Sequence, residues 1–139
     1  MISRTEIIVR YAETDQMGIA HHSNYAIWFE AARTDLIKKM GMSYSQMEKN
    51  GVLVPLLELE CKYMVAARYE DVLTVEAKVS KVTLVKIEFA YQVFRKEDNI
   101  LLAKGRSLHG LVDSDLKPVH MRRDKPEIYQ MMVNAMEEL

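Results

Sequence analysis

A chain of 139 residues suits one domain over 1–139 and leaves little room for a second. Hydrophobic residues at 49% and charged residues at 28% exclude a disordered chain, and a formal net charge of −1 supplies no global field toward nucleic acid or an anionic membrane. Charges stand where a signal peptide needs an apolar run, no stretch is long and apolar enough to span a bilayer, and the single cysteine, Cys61, excludes an internal disulfide framework. The expected compartment is the cytoplasm.

In chain order, Thr5–Tyr11 is β-rich and reads as a strand. A turn-prone patch, Glu13–Gly18, precedes a change of period. Tyr25, Trp28, Phe29, Ala32, Leu36 and Met40 recur at spacings of three and four, which predicts a long helix. Ser23 or Asn24 is placed to cap it, and Gly41 sits where a helix ends. Ala26, Ile27, Ala31 and Ile37 widen its apolar surface, so the helix should be enclosed on more than one side.

A short amphipathic piece, Ser43–Asn50, is followed by period-two segments. Leu57, Leu59, Cys61 and Tyr63 alternate with polar residues, as do Leu73, Val75, Ala77 and Val79, then Val85, Ile87, Phe89, Tyr91 and Val93. Glu97–Asn99 is a hairpin turn into a last strand, Leu101–Val112. Ala103, Gly105 and Ser107 leave one side of that strand open to close packing. Lys125–Leu139 reads as a C-terminal helix. Strand, long helix and about four strands in a meander make an α+β plan. Such a sheet leaves an open edge that a second copy would pair, so a homodimer is expected.

The loop before the long helix carries the chemistry. Helix-start amides lack intrahelical partners and carry partial positive charge, so they can hold a carbonyl oxygen that becomes negative in a tetrahedral transition state. One such donor is worth roughly 3 to 4 kcal/mol of barrier. Asp15, in the turn before His22, supplies a carboxylate within reach of a carbonyl polarised there. His21 and His22 are adjacent at a helix start and have no acidic or cysteine partner at ligand spacing, so no metal site is expected. Cys61 reads as a buried small hydrophobe, and the ten methionines as adaptable packing.

Tyr11, Thr14-Asp15, Gly18-Ile19, His22 and Tyr25 resemble the signature of the 4-hydroxybenzoyl-CoA thioesterase family, near its short-chain acyl-CoA thioesterase branch. Ala67–Val75 is similar to the segment opening that family's third strand, and His109–Asp113 with Lys117-Pro118 to its last strand and terminal turn. Two departures are Ile8, where Gln or Arg is usual, and Ala20, where Val is usual and whose small side chain enlarges the wall near the site.

The resemblance implies a hotdog fold, an antiparallel sheet wrapped around one long central helix, joined into a homodimer or homotetramer with active sites at the subunit interface. It implies hydrolysis of a small or medium acyl-CoA to free acid and CoA, without a cofactor. Asp15 maps onto the catalytic aspartate, as nucleophile or as general base, and the His22 amide onto the carbonyl polariser. Gly18, Tyr11 and Tyr25 belong to the substrate-binding set, although both tyrosines also suit a core. Cations for the CoA phosphates are sought at outward strand positions: Arg68 and Lys86 first, with Lys104 and Arg106 beside them. The rivals are a hotdog dehydratase or hydratase, whose histidine-plus-acid motifs are missing around His21, His22 and His109, and a non-catalytic acyl-CoA-binding module, against which the intact Asp15 argues.

Overall fold

A computed structural model of the chain describes residues 1–137. Five strands form one antiparallel sheet: β1 (Ser3–Ile8), β2 (Leu56–Tyr63), β3 (Val72–Val82), β4 (Lys86–Arg95) and β5 (Ile100–Gly110). The helices are α1 (Ser23–Met40), α2 (Tyr44–Lys49), α3 (Met121–Asp124) and α4 (Pro126–Glu137). The C-terminal helix is as expected, except that Glu138 and Leu139 lie outside the described residues.

The first strand begins and ends earlier than its composition suggests, because Tyr11–Glu13 is drawn into a single 3₁₀ turn. The sheet order is β1-β3-β4-β5-β2, so the four later strands are not one meander. β3, β4 and β5 are joined as hairpins, but β2 pairs with β5 on the far edge. Residues 64–71 then carry the chain back across to β1. Val9 N–H bonds the Asp71 carbonyl and Glu70 N–H bonds the Val9 carbonyl, which starts β3 beside β1.

α1 lies against the inner face. Leu73, Val75, Ala77 and Val79 of β3 and Ile87, Phe89, Tyr91 and Val93 of β4 are buried beneath it, with Trp28, Phe29, Ala32 and Leu36 above. The small residues of β5 have their explanation here. Phe29 stacks on Tyr91 at 4.4 Å between centroids, and its ring sits over Gly105. A polar chain runs through this core. Arg33 donates to the hydroxyls of Tyr44 and Tyr91, Tyr91 meets Ser107, and Ser107 meets His109 Nε2 at 2.8 Å. Every member is hydrogen-bonded, as burial requires.

Two local expectations change. Ser23 and Asn24 fall inside the first turn of α1, and His22 holds the cap position without a side-chain cap. Asn24 instead reaches backward to the loop, as described below. Cys61 is half-buried rather than buried, because α1 packs chiefly on β1 and β3 and leaves β2 largely open. Gly41 does end the helix, at φ 127°, with its N–H on the Lys38 carbonyl.

Candidate active site

The loop from Thr14 to Ala20 is a tight hairpin. Thr14 and Ala20 form a bridge, Asp15 N–H bonds the Ile19 carbonyl at 2.9 Å, and Gly18 N–H bonds the Asp15 carbonyl at 2.9 Å. Gly18 takes φ 75°, a left-handed conformation that favours glycine, and a side chain there would meet only open space. Its role in the turn is therefore conformational. The Asp15 carboxylate folds back over the same turn, and Oδ1 accepts the Met17 N–H at 2.9 Å. Among the described residues Oδ2 has no partner.

Where the loop enters α1, one backbone amide is left without an acceptor among the described residues. His21 N–H bonds the Glu13 carbonyl and Ser23 N–H donates to the ring Nδ1 of His21 at 3.2 Å, while His22 N–H has no partner among the described residues. Asp15, His22 and Tyr25 line one cleft of about 310 Å³. Met17, Ile19 and Ala20 form one side of it, and Tyr63 through Ala66, at the end of β2, the other.

Tyr25 is buried at 3% exposure. Its ring packs edge-on to Tyr63 at 4.9 Å, and burial pushes its hydroxyl pKa up. Tyr63 donates a long hydrogen bond, 3.4 Å, to the His22 carbonyl. Partial covering of its hydroxyl, then the neighbouring Cys61 thiol, push its own pKa up to about 12 although the residue is largely exposed, so it stays protonated throughout the neutral range. Burial likewise raises the Cys61 thiol, which keeps it protonated and a poor nucleophile. Ser107 and His109 form a hydroxyl–imidazole pair, but both are shut in the core at 0% and 1% exposure, beyond the reach of substrate.

A carboxylate with one free oxygen and an unpaired helix-start amide thus share a cleft with aromatic and aliphatic walls. This is equipment for acyl transfer. A larger groove, about 360 Å³, crosses the outer sheet face among Glu60, Lys62, Glu76, Lys78 and Arg106, and carries no such pairing.

The thioesterase superfamily profile matches residues 17–101, more than half of the chain. The chain belongs to the thioesterase superfamily. A Staphylococcus aureus structure described as a DHNA-CoA thioesterase is 36% identical, with TM-score 0.89 over 96% of this chain and 89% of that one. The acyl-CoA thioesterase YbgC of Haemophilus influenzae is 31% identical over 113 residues, 80% of this chain and 82% of its own. A Bacillus subtilis protein provisionally named the acyl-CoA thioesterase YneP is 38% identical over 127 residues, 91% of both. As a thioesterase-superfamily chain this protein is a hydrolase of thioesters, and its sheet curled around one helix is the hotdog fold.

Within this thioesterase the expected site residues are dispersed. Tyr11 is on the surface at 76% exposure, edge-on to Tyr69 at 5.7 Å, so it is neither a core residue nor part of the cleft wall. Arg68 is in a loop rather than on a strand. It is exposed and bridges to Ile19, next to the cleft, and its amide is fixed by the Asp71 carboxylate at 2.9 Å. Lys86 opens β4 on the outer face, in a groove with Glu58 and Glu88, and within one chain it does not line the cleft. Lys104 is on that outer face too. Arg106 there is held by Glu58, Glu60 and Glu88 at 3.0 to 3.2 Å, which leaves it little capacity for a phosphate. Sequence reasoning missed Tyr63 and Met64–Ala66. The alternation that ends at Tyr63 marks a strand, and nothing in it says that the strand ends beside His22.

Proposed function

We propose that this thioesterase hydrolyses acyl-CoA, with Asp15 as its catalytic carboxylate and the His22 amide as the group that polarises the thioester carbonyl. The observation that carries this is the shared cleft: Asp15 and His22 both line it, and among the described residues Asp15 Oδ2 and the His22 N–H have no partner. The carbonyl oxygen accepts from the amide and gains negative charge as the carbon is attacked, and a donor so placed is worth about 3 to 4 kcal/mol.

Two routes fit this geometry. Asp15 takes a proton from water, and the resulting hydroxide adds to the carbonyl carbon. Alternatively Oδ2 adds directly, giving an acyl anhydride that water then opens. In both, the C–S bond breaks, the thiolate leaves as CoA and collects a proton, and the acyl group ends as a free acid. The apolar walls, Met17, Ile19, Ala20, Met64 and Val65, suit a small or medium acyl group. Arg68, beside Ile19, is the nearest of the cation candidates for the CoA phosphates.

The reading includes a second copy of the chain. β2 is an edge strand with a free side, and its inner row stays wet: Leu57, Leu59 and Tyr63 are 51%, 46% and 53% exposed. Met64 and Val65 continue this apolar strip into the cleft wall at 47% and 41%. A long apolar edge of this kind is stable in water when another strand pairs with it.

The test is release of free CoA thiol from acetyl-, butanoyl-, hexanoyl-, decanoyl- and benzoyl-CoA. Turnover of at least one is expected. Hydration of an enoyl-CoA without thiol release would instead mark a hydratase, and binding without any turnover a non-catalytic module.

A further inference from the structure

The loop that carries Asp15 is hydrogen-bonded to itself through Asp15, Met17, Gly18 and Ile19, so its position relative to α1 is set at its base. Glu13 is at that base, and its carboxylate is buried at 6% exposure. Oε1 accepts the Arg10 N–H at 2.8 Å, with the Arg10 guanidinium at 3.4 Å. Oε2 accepts the indole N–H of Trp28, one turn and more into α1, at 3.1 Å. The main chain of the same residue is used as heavily. The Glu13 carbonyl accepts from His21 N–H at 2.8 Å and from Asn24 Nδ2 at 2.9 Å, and Asn24 Nδ2 also reaches the His21 carbonyl at 2.9 Å.

One residue thereby ties three things together: the end of the segment after β1, the two feet of the hairpin, and the body of α1. Asp15 is two residues along one strand of that hairpin, and His22 is one residue past its other foot. We infer that Glu13 is a positioning residue, which sets the Asp15 carboxylate against the His22 amide by clamping the loop to Trp28. The inference rests on the proposed roles of Asp15 and His22.

The chemistry of the clamp explains why an acid stands there. Both carboxylate oxygens face N–H donors, so an amide side chain must turn its NH₂ toward one of them and leave that contact broken. A shift of about 1 Å between reacting groups can cost 10²-fold in rate. The loss should fall on turnover, because Glu13 lies behind the loop and outside the cleft lining.

The experiment compares wild type, Glu13→Gln, Asp15→Asn and the double variant, using the acyl-CoA of the panel with the highest kcat/KM. Circular dichroism establishes that each sample is folded. The clamp predicts that Glu13→Gln lowers kcat at least tenfold with KM within twofold. It also predicts that the double variant is no slower than Asp15→Asn alone, since Glu13 acts only through Asp15. A folded Glu13→Gln with kcat within twofold of wild type overturns the inference, as does a loss that multiplies with that of Asp15→Asn. If Glu13→Gln does not fold, Trp28→Phe carries the test. It leaves the carboxylate in place and removes the indole N–H that holds Oε2, and kcat should fall at least threefold; an unchanged kcat in the folded variant overturns the clamp. If Asp15→Asn itself stays within a few-fold of wild type, the proposed site is wrong and the clamp falls with it. If Asp15→Asn is inactive and Glu13→Gln is not impaired, only the clamp fails.

Discussion

Gly105 and His109 are four residues apart on β5 and mark two different limits on what its inner face tolerates. At Gly105 a Cβ would collide with the Glu60 carbonyl and come within 2.7 Å of the Phe29 ring. Neither is a flexible chain end, since Phe29 is locked on Tyr91. Gly105→Ala should therefore destabilise by about 1 to 3 kcal/mol or more, the range for overpacking a full core, as read by urea denaturation. At His109 the limit is charge. Burial first, then the Arg33 guanidinium, push its pKa down from 6.5 to about 4. The ring is packed edge-on to Phe89 at 5.4 Å, and its nitrogens meet Ser107 and the Val54 carbonyl. The folded state therefore binds the proton less readily than the unfolded chain. Stability from this site is fully present above pH 6.5 and is lost as pH falls toward 4, by up to about 3 kcal/mol. Urea midpoints measured between pH 7 and 4 should fall along that slope, and His109→Gln should flatten it.

Among the elements, β2 is the one whose surroundings a single chain leaves unfinished. Inner-face residues of β3, β4 and β5 are buried, while every residue of β2 except half-buried Cys61 is exposed. Its outer row, Glu58 and Glu60, binds Arg106, so charge occupies one face and hydrocarbon the other. If a second copy covers the hydrocarbon face, Leu59→Asp should convert the assembly to monomer in sedimentation velocity. It should also lower hydrolysis at least tenfold, because Tyr63 to Ala66 at the end of the strand wall the cleft. A monomer with full activity would separate the interface from the site.

At the scale of the molecule, the period-two rows of Leu73–Val79 and Val85–Val93 and the helical row from Tyr25 to Met40 were legible, because each pattern records one buried face. The position of β2 beyond β5 was not, since alternation marks a strand without marking its neighbour. Likewise Asp15, Gly18 and His22 could be read from a local motif, and the structure puts Asp15 and His22 on one cleft. Tyr63 reaches that cleft only through the fold. Lys86 and Arg106 looked like outward cations, and they are, but on a face turned from the cleft and, for Arg106, already neutralised by three glutamates. The central claim joins the motif to the chemistry and is tested most directly by steady-state hydrolysis of the preferred acyl-CoA by Asp15→Asn. The amide keeps the shape and loses the charge that either proposed route needs, while the His22 amide proposed to hold the carbonyl is unchanged. The account predicts a fall in kcat of about 10²-fold or more with KM little changed and an unaltered melting temperature. A folded Asp15→Asn enzyme that turns over within a few-fold of wild type would contradict it.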